Sequence, residues 1–209
     1  MTIWDNIYKS YQKGGEAWAT LSEEIDPRFQ NFIKQRDFRT KSALDIGCGT
    51  GKYLKLLQGY GFRTDGIDSS ETAVTMTKKT LNDASQILCV NMFETDFPQN
   101  KYDLVLSVST IHHGTKKQVD NIISKIHASL LENGMIFITV PAFESNKKRN
   151  TSEDHEELEV GTYASLSGPE KGLPHSFYTK PELEKLFSQF HDLQLDLDEI
   201  GRWFVIASK

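Results

Sequence analysis

Residues Ala43 to Gly51 read Ala-Leu-Asp-Ile-Gly-Cys-Gly-Thr-Gly, an apolar run that ends in three glycines at alternate positions. Tyr53, Leu54 and Leu57 then recur at helical spacing until Gly59 and Gly61 stop the helix. A strand that turns at once into a helix restricts the fold strongly, because a following parallel strand is reached only by a crossover. The glycines let the backbone bend without Cβ clashes and let a ligand approach the main chain. Two familiar glycine loops do not fit. A dinucleotide fingerprint needs a third glycine where Lys52 stands, and a phosphate-cradling loop needs Gly-Lys-Ser/Thr where the chain has Gly51-Lys52-Tyr53. Asp45, inside the pattern, is unwelcoming to a polyphosphate.

Strand and helix patterns go on alternating. Phe62 to Ile67 reads as a second strand, followed by a helix capped by Ser69 or Ser70 with Ala73, Val74, Thr77 and Leu81 inward. Gln86 to Val90 and Tyr102 to Val108 are the third and fourth strands; Leu104-Val105-Leu106 has the continuous apolar character of a strand buried on both faces. Val119, Ile122, Ile123, Ile126, Leu130 and Leu131 form one helical stripe ended by Asn133-Gly134, and Met135 to Val140 is the fifth strand. A last helix opens on a capping box of Thr179 and Glu182. Leu193 to Ile200 and Trp203 to Ala207 then suit a hairpin turning at Gly201-Arg202. The pattern predicts an α/β chain with a mostly parallel sheet covered on both faces, and one antiparallel edge strand from the hairpin. Asp26-Pro27 starts a short N-terminal helix. Pro141 to Tyr178 lacks periodicity, and a stretch of that length is usually functional or disordered. No linker or repeat divides the chain, so residues 1–209 are expected to form one domain.

Charge and cysteine content narrow the partners. With 24 Lys+Arg against 29 Asp+Glu the net charge is −5, a poor balance for non-specific nucleic-acid binding. The longest basic cluster, Lys147-Lys148-Arg149, is followed by acidic sequence that cancels much of its field. Two cysteines, Cys48 and Cys89, give no disulfide framework, so a reduced compartment is expected. No apolar run approaches the ~18 residues of a membrane span, and the start lacks a signal-peptide pattern. A cytoplasmic location is the expectation. Oligomeric state is not legible.

The run Ala43-Leu44-Asp45-Ile46-Gly47-Cys48-Gly49-Thr50-Gly51-Lys52-Tyr53 resembles the first motif of class I S-adenosylmethionine-dependent methyltransferases. The resemblance continues through Gly66-Ile67-Asp68-Ser69-Ser70, through Tyr102 to His113, and through the turn Leu130 to Met135. It implies a Rossmann-like, doubly wound, mostly parallel seven-stranded sheet with a C-terminal antiparallel hairpin, and S-adenosyl-L-methionine as cofactor. It implies that Asp45, Gly47, Cys48, Gly49, Thr50 and Gly51 cradle the cofactor. Asp68, followed by Ser69, would accept hydrogen bonds from both ribose hydroxyls, as two acceptor oxygens suit a vicinal diol. Asn91 and Met92 stand where the family often has Asp and a small residue on the adenine amine. Ser107 belongs to the fourth-strand motif. Trp4-Asp5-x-x-Tyr8 and Gly14-Gly15-x-x-Trp18 resemble the start of thiopurine- and tellurite-type enzymes, so residues 1–40 are expected to form a helical cap and Tyr8, Tyr11 and Trp18 to shield the sulfonium.

The motifs that the family's amino-purine, amide and cytosine methylating members carry are missing after the fourth strand, and the site instead resembles the family's small-molecule branch, where a His often ends that loop, which implies a small-molecule methyl acceptor. His113, and secondarily His175, are the candidate bases or acceptor contacts, since an ordinary histidine pKa suits proton removal near neutrality. His175 lies in the 141–178 segment, where family members build the acceptor pocket. His127, His155 and His191 are read as surface or packing residues. No His/Cys/Asp set has metal-ligand spacing, so no metal is expected. A non-catalytic cofactor-binding protein, and a tRNA or protein methyltransferase, are the other readings.

Overall fold

The computed structural model describes residues 2–14, 24–81, 85–145 and 154–209. Helix α1 (Ile3–Gln12) opens on Thr2, whose side chain accepts from the Asp5 N–H, and α2 (Pro27–Lys34) on Asp26 with Pro at its first turn. The next elements are β1 (Ser42–Ile46), α3 (Lys52–Gly59), β2 (Arg63–Asp68), α4 (Glu71–Thr80), β3 (Gln86–Cys89) and β4 (Tyr102–Val108). Helix α5 (Lys116–Ser129) starts with a complete capping box between Thr115 and Gln118. Strands β5 (Leu130–Pro141), β6 (His155–Glu159), β7 (Thr162–Ser165) and β8 (Pro174–Ser176) follow, then α6 (Lys180–Leu186), β9 (His191–Leu197) and β10 (Arg202–Ser208).

Seven strands form one sheet in the order β3-β2-β1-β4-β5-β10-β9. The first five pair in parallel, and β10 is antiparallel to both β5 and β9. This is the Rossmann-like methyltransferase fold the resemblance implies. The antiparallel strand is not at the edge, as the hairpin alone suggested: β10 is inserted between β5 and β9, because its alternating Trp203, Phe204 and Val205 are buried on both faces while β9 is largely exposed. The hairpin turn comes slightly earlier than expected, with the Gly201 N–H on the Asp198 carbonyl and the Arg202 N–H on the Asp198 carboxylate.

Alternation along the central strands divides the core in two. Leu44, Val105, Ile136, Ile138 and Val205 face α5 and α6, where Ile122, Ile123, Ile126 and Phe187 meet them. Ala43, Leu104, Leu106, Phe137 and Phe204 face α2 and α3, against Phe29, Phe32, Tyr53 and Leu57. Each fully buried side chain of this size contributes about 1.5–3 kcal/mol. A smaller group, Cys48, Leu54, Val74 and Ile87, fastens α4 to the sheet.

Two local expectations change. The stripe assigned to one helix ends at Ser129, and Leu130 and Leu131 already belong to β5. Leu130 has extended backbone and pairs with Tyr102, and Asn133, with φ +63°, bends the strand where a helix end was expected. Spacing cannot separate these readings, because a buried leucine fits either period. The segment without periodicity folds in part into a second, antiparallel sheet of order β6-β7-β8. Among the described residues no helix is long and apolar enough to cross a membrane.

Candidate active site

The order of strand addition reverses between β1 and β4, and open α/β sheets bind ligands at the carboxyl ends of strands beside such a switch. The glycine loop lies there. Gly47 and Gly49 have φ of +79° and +56°, a region that costs an L-residue about 1–2 kcal/mol. Space is equally restrictive: a Cβ at Gly47 would meet the Thr110 methyl at 2.1 Å, and one at Gly49 the Tyr8 hydroxyl at 2.6 Å. Gly51 is the left-handed cap of α3. The Gly47 and Cys48 N–H groups both donate to the Ile67 carbonyl, and Thr77 Oγ1 donates to the Gly49 carbonyl at 2.7 Å. The loop is thereby tied to β2 and α4. Thr50 is half-buried. Cys48 is buried with its side chain in the α4 packing group, and burial pushes its thiol up.

Asp68 ends β2. Its Oδ2 accepts from the Gly49 N–H at 3.0 Å and its Oδ1 from the Ser70 N–H at 2.9 Å. A carboxylate has about four lone-pair sites, so each oxygen keeps acceptor capacity. Burial raises its pKa, and the Ser70 and Gly49 N–H groups oppose the rise. Asp45, fully buried in β1, is pushed up to about 8 by burial and then by Asp68, with Lys52 acting against them. The donor set suits an adenosyl diol at this strand end: a carboxylate with spare lone pairs, beside a loop whose missing Cβ atoms leave the backbone approachable.

Helix α1 closes over this loop. Asp5 is buried and caps α4, accepting from the Thr72 N–H at 3.0 Å and from Ser70 Oγ at 3.1 Å. Lys9 at 2.8 Å and the Thr72 N–H hold its carboxyl far below the usual range. Thr2 Oγ1 donates to the Ser69 carbonyl. Tyr8 is buried with its hydroxyl at Gly49, and burial pushes its phenol up, with Asp68 adding to the rise. Tyr11 is half-buried on the same helix, and Trp18 lies outside the described residues, as does Lys147-Lys148-Arg149.

Other expected cofactor residues are placed differently. Ser107 is fully buried and donates to the Ile46 carbonyl at 2.9 Å, bridging β4 to β1. Asn91 is exposed after β3; its Oδ1 accepts from the Phe93 N–H and its amide donates to Glu94. Met92 packs partly against the α5-side core.

Beyond β4 the backbone turns through Ser109, a non-glycine with φ +54°, held by the Thr139 hydroxyl on its N–H at 2.8 Å. The turn presents Thr110 to Gly47 and brings His112 and His113 to the strand end. The small sheet adds His175, because the Ser176 N–H donates to the His112 carbonyl and Ser176 Oγ to the Gly114 carbonyl. The His113 ring lies 4.0 Å from that of His112 and 4.8 Å from that of His175, centroid to centroid, and the Trp4 ring meets it edge-on at 4.7 Å. Burial, then His175, holds His113 down to about 3, so its ring is neutral near neutrality. His113 Nδ1 is buried without a hydrogen-bond partner. His175 Nδ1 lies 3.0 Å from the Leu173 carbonyl and its Nε2 3.2 Å from Glu170. His127 packs edge-on against Phe190, and His155 and His191 are exposed at strand starts.

Thr77, Thr110, Trp4 and Glu170 also stand here, and no motif in the sequence marks them as site residues. The Thr77 spacing on an apolar helix face marks it as inward, but nothing local shows that its hydroxyl reaches Gly49.

Sheet order, crossover connections and the glycine loop at the switch point define the class I methyltransferase architecture. A family model described as a methyltransferase domain matches residues 17–195, and the chain belongs to that family. Among solved structures, the PH0226 protein of Pyrococcus horikoshii superposes with a TM-score of 0.76 at 14% identity, covering 100% of this chain and 99% of that one. A Burkholderia thailandensis 1,6-didemethyltoxoflavin-N1-methyltransferase, with bound 1,6-didemethyltoxoflavin and S-adenosylhomocysteine, superposes with a TM-score of 0.68 at 18% identity, covering 99% of this chain and 87% of that one. A probable tRNA methyltransferase 9B of Mus musculus is 26% identical over 150 residues, 71% of this chain but 32% of that protein. The chain spans 32–40% of the length of the mouse, human and cattle proteins of that name.

Proposed function

We propose that the chain is an enzyme that transfers a methyl group from S-adenosylmethionine to a small-molecule acceptor. The observation that carries this reading is the family match together with the cradle at the switch point: Gly47, Gly49 and the Asp68 carboxylate at adjoining strand ends. S-adenosylmethionine, when bound, supplies a methyl on a positively charged sulfur that a nucleophile displaces in line. The chain's own residues bind, orient and exclude water. The spare lone pairs of Asp68 take the ribose hydroxyls. Gly47 and Gly49 allow close approach to the main chain. Tyr8 and α1 cover the loop. His113 and His175 contact the acceptor, and the unpartnered Nδ1 of His113 is a hydrogen-bonding atom ready for it. Alignment of this kind supplies up to ~7–11 kcal/mol, so no general base is assigned.

A small acceptor is favoured by the crowding at these histidines: the His113 ring lies 4.7 Å from that of Trp4 and 4.8 Å from that of His175, centroid to centroid. In this reading residues 1–209 are one domain, with 1–40 as cap and 141–178 as the acceptor wall, working in the cytoplasm. The similarity to probable tRNA methyltransferases favours a second reading, a modified tRNA base as acceptor; the net charge of −5 argues against it unless a basic partner assists.

Calorimetric titration tests the cofactor. Wild type should bind S-adenosylmethionine and S-adenosylhomocysteine, and Asp68→Ala should lose well over 1 kcal/mol, about tenfold, by stranding two hydroxyls. Affinity within error of wild type overturns the assignment. A screen with labelled methyl donor, run in parallel on small nucleophiles and on bulk tRNA, decides the acceptor.

A further inference from the structure

His112, His113 and His175 are the one group of three or more metal-competent side chains brought together among the described residues. One donor atom from each lies within 4.8 Å of the others. The backbone fixes the arrangement, because Ser176, next to His175, is bonded to the carbonyls of His112 and Gly114. Two further observations point to a cation. The first is His113 Nδ1, buried and without a hydrogen-bond partner, an atom that needs an explanation in a packed interior. The second is the pairing of His175. Its Nδ1 faces the Leu173 carbonyl at 3.0 Å and donates there, so Nε2, 3.2 Å from the Glu170 carboxylate, holds either a second proton or, as a bare lone pair, a metal ion. A lone pair and a carboxylate repel unless a cation lies between them or beside them. The separation matches the edge of about 3.3 Å that two ligands span on a tetrahedral ion with bonds of about 2.0–2.1 Å. Donation from the second ring nitrogen to a backbone carbonyl is the usual support of a metal-binding histidine.

We infer that His112, His113 and His175 bind a divalent transition-metal ion of the kind that favours imidazole, zinc above all, with Glu170 at the fourth position. Side-chain rotation closes the cluster around the ion. The carboxylate can yield its position to an ionisable oxygen or sulfur of the acceptor, which the ion would acidify, the proton passing to the freed Glu170 carboxylate or to solvent. That last role rests on the methyl-transfer reading; ion binding does not.

The full chain, stripped with chelator, is titrated with Zn²⁺ by calorimetry and with Co²⁺ by visible absorption, without S-adenosylmethionine. One equivalent should bind, and Co²⁺ should give the visible bands of a four-coordinate site. Co²⁺ should also quench tryptophan emission through Trp4, whose ring is 4.7 Å from that of His113. Trp4→Phe should keep the stoichiometry and lose that share of the quenching. His113→Gln and His175→Gln should each weaken Zn²⁺ binding at least tenfold, whereas Asp68→Ala should leave it unchanged while losing the nucleoside. Absence of saturable binding, wild-type affinity in both histidine variants, or wild-type quenching in Trp4→Phe overturns the proposal; the last readout decides even where a histidine variant does not fold. A proton shared by His175 and Glu170 would produce that negative set.

Discussion

Gly49 meets two demands at once, a left-handed backbone and a gap filled by the Tyr8 hydroxyl. Gly49→Ala should therefore destabilise the protein by about 1–2 kcal/mol for the backbone, with a further cost from the contact with Tyr8. Denaturant melts of Gly49→Ala, Tyr8→Phe and the double variant separate the two costs. Removing the hydroxyl should relieve the second only, and strict additivity of the single changes would contradict the contact. The glycine was legible, because only that residue type tolerates the bend. Tyr8 as its neighbour was not, since that contact depends on where α1 comes to rest. Ser107 shows another limit: its place in a recognisable motif gave no sign that its hydroxyl bridges two strands.

Among the elements, α1 is held by few but specific bonds. Asp5 caps α4 from outside the helix, and α1 is itself capped by Thr2. Asp5→Ala removes the cap and the Lys9 pair, and should cost about 1 kcal/mol. Loss should be concentrated in α1 (Ile3–Gln12), so hydrogen exchange of its amides should speed up while β4 and β5 stay protected. Nucleoside affinity should fall with it if α1 covers the cofactor; faster exchange with unchanged affinity would show that the helix packs without closing the site. The small sheet is the other element that shapes the site. Ser176 fastens it to the β4 loop, and no periodicity announces strands as short as Pro174–Ser176.

For the molecule as a whole, Asp45 sets a pH dependence. An unfolded aspartate ionises near 4, whereas burial, then Asp68, raise this one to about 8 against the pull of Lys52. Between those values the unfolded chain gives up the proton and the folded chain keeps it, so this residue's contribution is complete below about 4 and declines as pH rises through about 8. Asp45→Asn should flatten the loss of thermal stability between pH 5 and 8 in melts without cofactor. An unchanged slope would assign the dependence to other groups.

The amino-acid sequence alone determined the strand–glycine–helix junction, the alternation that makes a parallel sheet, the caps of α4 and α6, and Asp68 at a strand end. Those features come from backbone freedom and side-chain periodicity, which act between near neighbours and are therefore written locally. Tertiary structure alone decided that β10 lies inside the sheet, that α1 seats Tyr8 on Gly49, and that three histidines meet. Each joins residues far apart in the chain, and only the packing of whole elements brings such residues together.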